Sequence, residues 1–292
     1  MNLNNVHMKE KVCMVTGATS GIGLATARGL ARQGATIVAV GRNPEKGSDI
    51  VSRIRKATGN PSVDFMQADL SDQAQIRYLA EEFKNRYSRL DVLVNNAGAI
   101  FLKRELSLDG IEMTFAVNHL SIFLLTNLLL ETLKASAPAR IVNVSSNMQK
   151  NARISFEDLE GARKYGSFQA YGQSKLCVLF FTYELARRLD GTQVTVNALH
   201  PGVVGTNIGG NNGWIGRLFV PLYKLFAKSP SKGAETSIYV ASAPDLEGVT
   251  GKYFIDKKPV ASSPISYDEA AVQRLWRISE GMTRLSPDVN GL

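Results

Sequence analysis

Three side chains in the middle of the sequence have the types and spacing that proton transfer needs. Tyr171 and Lys175 lie four residues apart in Tyr171-Gly172-Gln173-Ser174-Lys175, inside a stretch from Phe168 to Leu189 whose pattern predicts a long helix. An i, i+4 pair shares one helical face. A free phenol titrates near ~10, so it works as an acid/base at neutral pH only beside a positive charge that favours the phenolate. Lys175 supplies that charge. Ser146, at the end of the β-rich run Arg140 to Ser145, adds a hydroxyl that can donate to an oxygen on which charge develops. A YxxxK pair standing alone is usually a surface pair, so its weight here comes from the elements upstream.

The first β-rich run, Lys11 to Thr16, leads straight into Gly17-Ala18-Thr19-Ser20-Gly21-Ile22-Gly23, and an amphipathic stretch from Gly21 to Gln33 begins inside that turn. Glycines let a backbone approach a pyrophosphate, and a helix start offers unpaired N–H groups at the positive end of its dipole. Gly17, Thr19, Ser20, Gly21, Ile22 and Gly23 are therefore expected to cradle phosphate. Three residues separate Gly17 from Gly21, which departs from the GxGxxG spacing, and an ordinary glycine turn is the alternative.

At the end of the second run, an acid would accept hydrogen bonds from adenosine ribose hydroxyls. The sequence has Val40-Gly41-Arg42-Asn43 instead. A guanidinium there would pair with a 2′-phosphate and stack on adenine, so NADP(H) is expected over NAD(H), with Arg42 and Asn43 at the contact; a surface arginine is the alternative. Asp69, beside Leu70, is expected at the adenine or as a helix cap. Asn96, Ala97 and Gly98 follow the fourth run with small side chains that leave room for riboses.

These residues need a scaffold, and the periodicity supplies one. Seven β-rich runs, at Lys11 to Thr16, Thr36 to Val40, Val63 to Gln67, Asp91 to Asn95, Arg140 to Ser145, Gln193 to Leu199 and Lys252 to Ile255, alternate with helical stretches. The helical stretches after the first are Glu45 to Ala57, Asp72 to Tyr87, Leu108 to Leu133, Phe168 to Leu189 and Lys232 to Ala243. Such alternation predicts an α/β fold with a parallel sheet. No linker interrupts it, so residues 1–292 are read as one domain. A Gly-, Asn- and Phe-rich insertion at about 203–229 reads as a lid, and residues 257–285 as a loop and one more amphipathic helix.

In order, and over nearly the whole chain, TGATSGIG at 16–23, NNAG at 95–98, Ser146, YGQSK at 171–175 and HPGVV at 200–204 resemble the short-chain dehydrogenase/reductase family. The resemblance implies a Rossmann-type doubly wound sheet of strand order 3-2-1-4-5-6-7 and a catalytic tetrad of Asn118, Ser146, Tyr171 and Lys175. It also implies direct hydride transfer to or from nicotinamide, Tyr171 moving the proton on oxygen, and Lys175 binding the nicotinamide ribose. Asn118 would place a relay water through its side-chain amide, and Val204 and Thr206, after Pro201 and Gly202, would meet the carboxamide. RIVNVSS, YGQSKL, ELARRL and HPGVV resemble the retinol-dehydrogenase-like branch, which implies an apolar aldehyde, ketone or alcohol substrate. Many members pair through the helices holding Asn118 and Tyr171, so a homodimer is implied as well. No counterpart of the membrane anchor of several retinol dehydrogenases is expected, and the lid follows no retinoid pattern.

Composition narrows the alternatives. With 34 Lys and Arg against 26 Asp and Glu and 44% hydrophobic residues, disorder and a disulfide scaffold are excluded. The net charge of +8 is scattered, so no nucleic-acid partner is expected. Neither a secretion signal nor a spanning segment is visible, and Cys13 and Cys177 sit in apolar runs as in reduced proteins; a cytoplasmic setting is expected. Trp214, Phe219, Tyr223 and Phe226 are expected to line a pocket or pack in the core, with peripheral membrane contact as the other reading. His119 and His200 are expected to have a structural or solvent role, since no second ligand sits at metal spacing. The competing functions are an NADPH-binding regulator with little turnover and a biosynthetic reductase for one natural-product or steroid-like ketone.

Overall fold

The computed structural model describes residues 7–202 and 229–285. Val204, Thr206, the expected lid and its aromatic residues lie outside them. Eight strands form one sheet in the order β3-β2-β1-β4-β5-β6-β7-β8. They are β1 (Val12–Thr16), β2 (Thr36–Gly41), β3 (Val63–Gln67), β4 (Val92–Asn95), β5 (Ala139–Val144), β6 (Val194–His200), β7 (Tyr253–Ile255) and β8 (Lys258–Val260). The first seven run parallel, as the Rossmann-type resemblance implies, with Cys13 opposite both Ile37 and Val92 and His200 opposite Ile255.

The central strands are continuous apolar, β-branched runs because both faces are covered. Val12 and Met14 of β1 point into one core, with Leu79 and Phe83 of α3 (Gln73–Arg86), Phe123 of α5 (Ser121–Leu128) and Val178 of α7 (Ser167–Arg188). Cys13 and Val15 point into the other, with Leu30 of α1 (Gly21–Arg32), Ile50 of α2 (Pro44–Thr58) and Val240 of α8 (Pro230–Ser242). Period-two side-chain alternation thus supplies both layers from each strand. Through the centre runs one polar rung: Asn95 Nδ2 donates to Thr126 Oγ1 at 3.0 Å and to Asn143 Oδ1 at 2.9 Å, and Asn143 Nδ2 donates to Thr182 Oγ1 at 3.0 Å.

Two stretches differ from the periodicity reading. The tail is not simply loop and helix: β8 pairs antiparallel with β7 across a two-residue turn in which Asp256 and Lys257 have φ of 48° and 64°. Positive φ at both central residues is the hairpin geometry that matches strand twist. The glycine that usually announces it is missing, and Pro259 hides the strand, although an edge tolerates proline. The helix expected from Leu108 also starts late. Leu106 bridges Glu112 around Gly110, whose φ is 76°, and the helical run then divides into α4 (Met113–Phe115), a π turn (Ala116–Leu120), α5 and α6 (Leu130–Ala135).

The tail helix itself, α9 (Glu269–Thr283), covers α5 and α7. Its Trp276 stacks on Phe181 with ring centroids 5.8 Å apart and meets Phe123 edge-on at 4.9 Å, while the Arg188 guanidinium lies 4.1 Å above the same indole.

Candidate active site

The carboxyl ends of the strands open into a cleft of about 410 Å³. Its floor is the turn after β1. Gly17 and Gly21 have φ of 64° and 57°, which only glycine adopts without strain. At Gly17 a Cβ would stand 2.9 Å from Ala97 Cα, and at Gly23 it would overlap the Gly17 carbonyl. The turn is pinned from β4: Asn96 Nδ2 donates to Thr16 O at 2.8 Å, and Thr16 Oγ1 accepts from Asn96 N at 3.0 Å and Ala97 N at 3.1 Å. Ser20 precedes α1 in an extended conformation without a side-chain cap, and the first turn carries no acid. The helix start therefore keeps its positive end toward the cleft.

At one end of the cleft lie Arg42, Asp69 and Leu70. Arg42 Nη1 is 3.9 Å from Asp69 Oδ2, both groups being substantially exposed. Asp69 is not a helix cap: its Oδ1 accepts from the Ser71 amide at 2.9 Å and hydroxyl at 2.8 Å, and the neighbouring Asp72 caps α3. Asn43 caps α2 by accepting from Lys46 N at 2.7 Å and is not among the lining residues. Lys46 is, and the periodicity gave no reason to single it out from other helix-surface lysines.

The other end holds Tyr171 and Lys175, both buried on one face of α7. Lys175 Nζ donates to Val144 O at 2.9 Å, lies 5.7 Å from the centre of the Tyr171 ring, and would be 3.1 Å from a Cβ at Gly98. Burial lowers its pKa from 10.5 to about 8, which leaves the ammonium form favoured at pH 7. Ser145 fixes the helix against β5, its hydroxyl donating to Lys175 O at 2.7 Å. Ser146 is half-exposed; its Oγ accepts from Met148 N at 3.2 Å, which leaves its own proton to donate.

A family model for the short chain dehydrogenase matches residues 11–213, more than half of the chain. The chain belongs to the short-chain dehydrogenase family. Retinol dehydrogenase 12 of Mus musculus is 46% identical over 275 residues, which span 94% of this chain and 87% of that protein. Among solved structures, a protein from Mycobacterium Paratuberculosis has a TM-score of 0.78 at 32% identity, covering 96% of each chain. A short-chain dehydrogenase from Escherichia coli CFT073 complexed with NADPH has a TM-score of 0.69 at 25% identity, covering 86% of this chain and 98% of that one. This short-chain dehydrogenase is retinol-dehydrogenase-like within its family, and it is an oxidoreductase whose fold serves hydride transfer with a nicotinamide cofactor.

Asn118 of the dehydrogenase sits in the π turn with no exposed surface. Its Oδ1 accepts from Ala99 N at 2.8 Å, and its Nδ2 donates to Ala99 O at 2.9 Å and Ser174 Oγ at 3.0 Å. Both amide protons are thereby committed to protein groups rather than to solvent. The side chain instead ties the loop after β4 to α7, where Ser174 Oγ donates to Tyr171 O at 2.8 Å. Pro201 lines the cleft, and Gly202 follows with φ of 86°.

His119 and His200 both make hydrogen bonds within the fold. His119 is buried against Ser279 Oγ at 2.8 Å, and burial lowers its pKa to about 3. His200 Nδ1 accepts from Asn147 N at 3.3 Å, and no metal-binding cluster occurs among the described residues. Thr16 and Ser174 were missed by sequence reasoning because their importance lies in partners about 80 and 56 positions away in the chain.

Proposed function

We propose that this dehydrogenase is an NADP(H)-dependent enzyme that interconverts the carbonyl and alcohol forms of a small apolar substrate, with Tyr171 as the acid/base. The observation that carries this reading is the pairing of Tyr171 with Lys175 on one buried face of α7, beside the glycine cradle. The residues present fit the cofactor. The cradle would be filled by any Cβ at Gly23, the α1 start is uncapped, and Arg42 and Lys46 put two positive side chains at the end away from Tyr171. Those charges support NADP(H) over NAD(H), as does the NADPH complex of the Escherichia coli relative.

When bound, the nicotinamide supplies or accepts the hydride. The protein's own share is placement and proton movement. Lys175 spends one proton on Val144 O, keeps two for ribose hydroxyls, and favours the phenolate of Tyr171 through its charge. Ser146 donates to the substrate oxygen, and Tyr171 gives it a proton in reduction or takes one in oxidation. Phe101, Val117 and Val144 line the cleft with apolar side chains, which supports an apolar substrate body, as does the retinol named for the mouse relative. Both cysteines are buried free thiols, in keeping with a reducing, cytosolic setting. Among the described residues no helix is long and apolar enough to cross a membrane.

The test is NADPH oxidation with a panel of lipophilic aldehydes and ketones, comparing the natural protein with Tyr171→Phe. Turnover should fall by about 10²-fold or more, the range for a lost acid/base. Equal turnover would remove Tyr171 from the mechanism, and tight NADPH binding with no turnover of any carbonyl would favour the regulatory reading.

A further inference from the structure

Half-buried Tyr165 lies six residues before Tyr171, and its hydroxyl joins three separate segments. It donates to Phe101 O at 2.8 Å, and the same oxygen is 3.2 Å from both Glu112 Oε1 and Thr114 Oγ1. Each segment leads to the site. Phe101 lines the cleft at the end of the loop that begins with Asn96, Ala97 and Gly98. Glu112 caps the helical run containing Asn118, its buried carboxylate accepting from Thr114 N and Phe115 N, both at 2.8 Å. Tyr165 itself leads into α7.

The junction is built for one donor. Burial, with the negative charge of Glu112 adding to it, pushes the Tyr165 phenol up to about 12, so the group is protonated throughout the working range. Glu112 is already held by two backbone amides and Glu160 Oε2 accepts from Glu112 N at 2.9 Å, which fixes the partners around the hydroxyl. Gly161 stands close enough that a Cβ would meet the Tyr165 ring at 3.1 Å, so the loop closes tightly behind it. Among the bonds of Tyr165, the one to Phe101 O reaches a residue that lines the cleft.

We propose that Tyr165 is a positioning residue that holds Phe101 as the substrate-side wall of the cleft, and so sets which sizes of apolar carbonyl the enzyme accepts. The proposal rests on the reading of this cleft as a carbonyl/alcohol site. A wall tied to Tyr165 by a hydroxyl bond to its main-chain carbonyl shifts when that bond is deleted, although the Phe101 side chain itself is unaltered. Substrates that touch the wall then bind less well, while the cofactor end is untouched.

The experiment uses Tyr165→Phe, which removes only the hydroxyl, with kcat and KM measured for a compact and an extended apolar aldehyde. The ratio of kcat/KM between the two aldehydes should change at least fivefold, mostly through KM, with the NADPH Kd within twofold of the natural protein. In a Phe101→Ala background the same substitution should leave the ratio within twofold. An unchanged ratio, an equal loss for both aldehydes, or a full effect in the Phe101→Ala background would overturn the proposal. Hydrogen exchange at amides 99–104 reads the wall without turnover and should quicken at least tenfold in Tyr165→Phe. Should no aldehyde be reduced by the natural protein, the proposed function fails; unchanged exchange would overturn the role of Tyr165 by itself.

Discussion

Lys175→Met should make the cofactor-free protein more stable at neutral pH. The ammonium is 2% exposed, and its pKa falls from 10.5 to about 8 on burial, which corresponds to a cost of about 3 kcal/mol for keeping it charged inside. Methionine fills similar space without charge, but Val144 O loses its partner, worth about 1 kcal/mol. The net expectation at pH 7 is a variant about 2 kcal/mol more stable. Below pH 8 both the folded and the unfolded chain hold the proton, so the full cost is present. Between pH 8 and 10.5 the unfolded chain holds more protons than the folded one, and the natural protein gains stability as pH rises. The gap should therefore narrow by about 2 kcal/mol between pH 7 and pH 9.5. Urea unfolding of both proteins across that range measures it. A variant less stable at pH 7, or a gap that stays constant with pH, would refute the reasoning that Lys175 is a charge held in place at the expense of the fold.

Arg42→Asp should weaken NADPH binding by about tenfold or more while leaving NADH binding nearly unchanged; the Arg42 side chain is 57% exposed, which keeps the expected effect near 1–2 kcal/mol. Titration of both cofactors reads the difference, and an equal loss with each would undo the 2′-phosphate argument. Trp276→Ala removes the indole that rests on Phe123 and Phe181 and should cost about 3–5 kcal/mol, read as a lowered urea midpoint; a loss under 1 kcal/mol would mean that α9 contributes little to the helices beneath it.

The parts of this molecule that were legible in its sequence are those governed by local rules. Strands β1 to β7 follow from β-branched runs, and the cradle follows from glycines at a strand-to-helix turn, because conformation there depends on the residue itself. The Asp256-Lys257 turn carried no local mark, since neither residue favours positive φ as glycine does, and the late helix start at Met113 was masked by an apolar pattern running through Leu108 and Ile111. At the site, the type and spacing of Tyr171 and Lys175 pointed to their shared face. The job of the Asn118 amide, and the involvement of Thr16 and Tyr165, depend on which distant groups come within hydrogen-bonding reach, and that of Lys46 on which helix face meets the cleft; no spacing rule encodes either.

The rung of amides and hydroxyls from Thr126 through Asn95 and Asn143 to Thr182 bears on how the central strands find their alignment. Between two greasy, β-branched strands, a slip of two positions keeps every side chain on its proper side and loses little contact. Here such a slip would strand an asparagine in hydrocarbon, with no water to satisfy it. The rung therefore acts as a proofreading mark: it adds little to the attraction between strands, yet only the correctly aligned pair closes it onto Thr126 of α5 and Thr182 of α7.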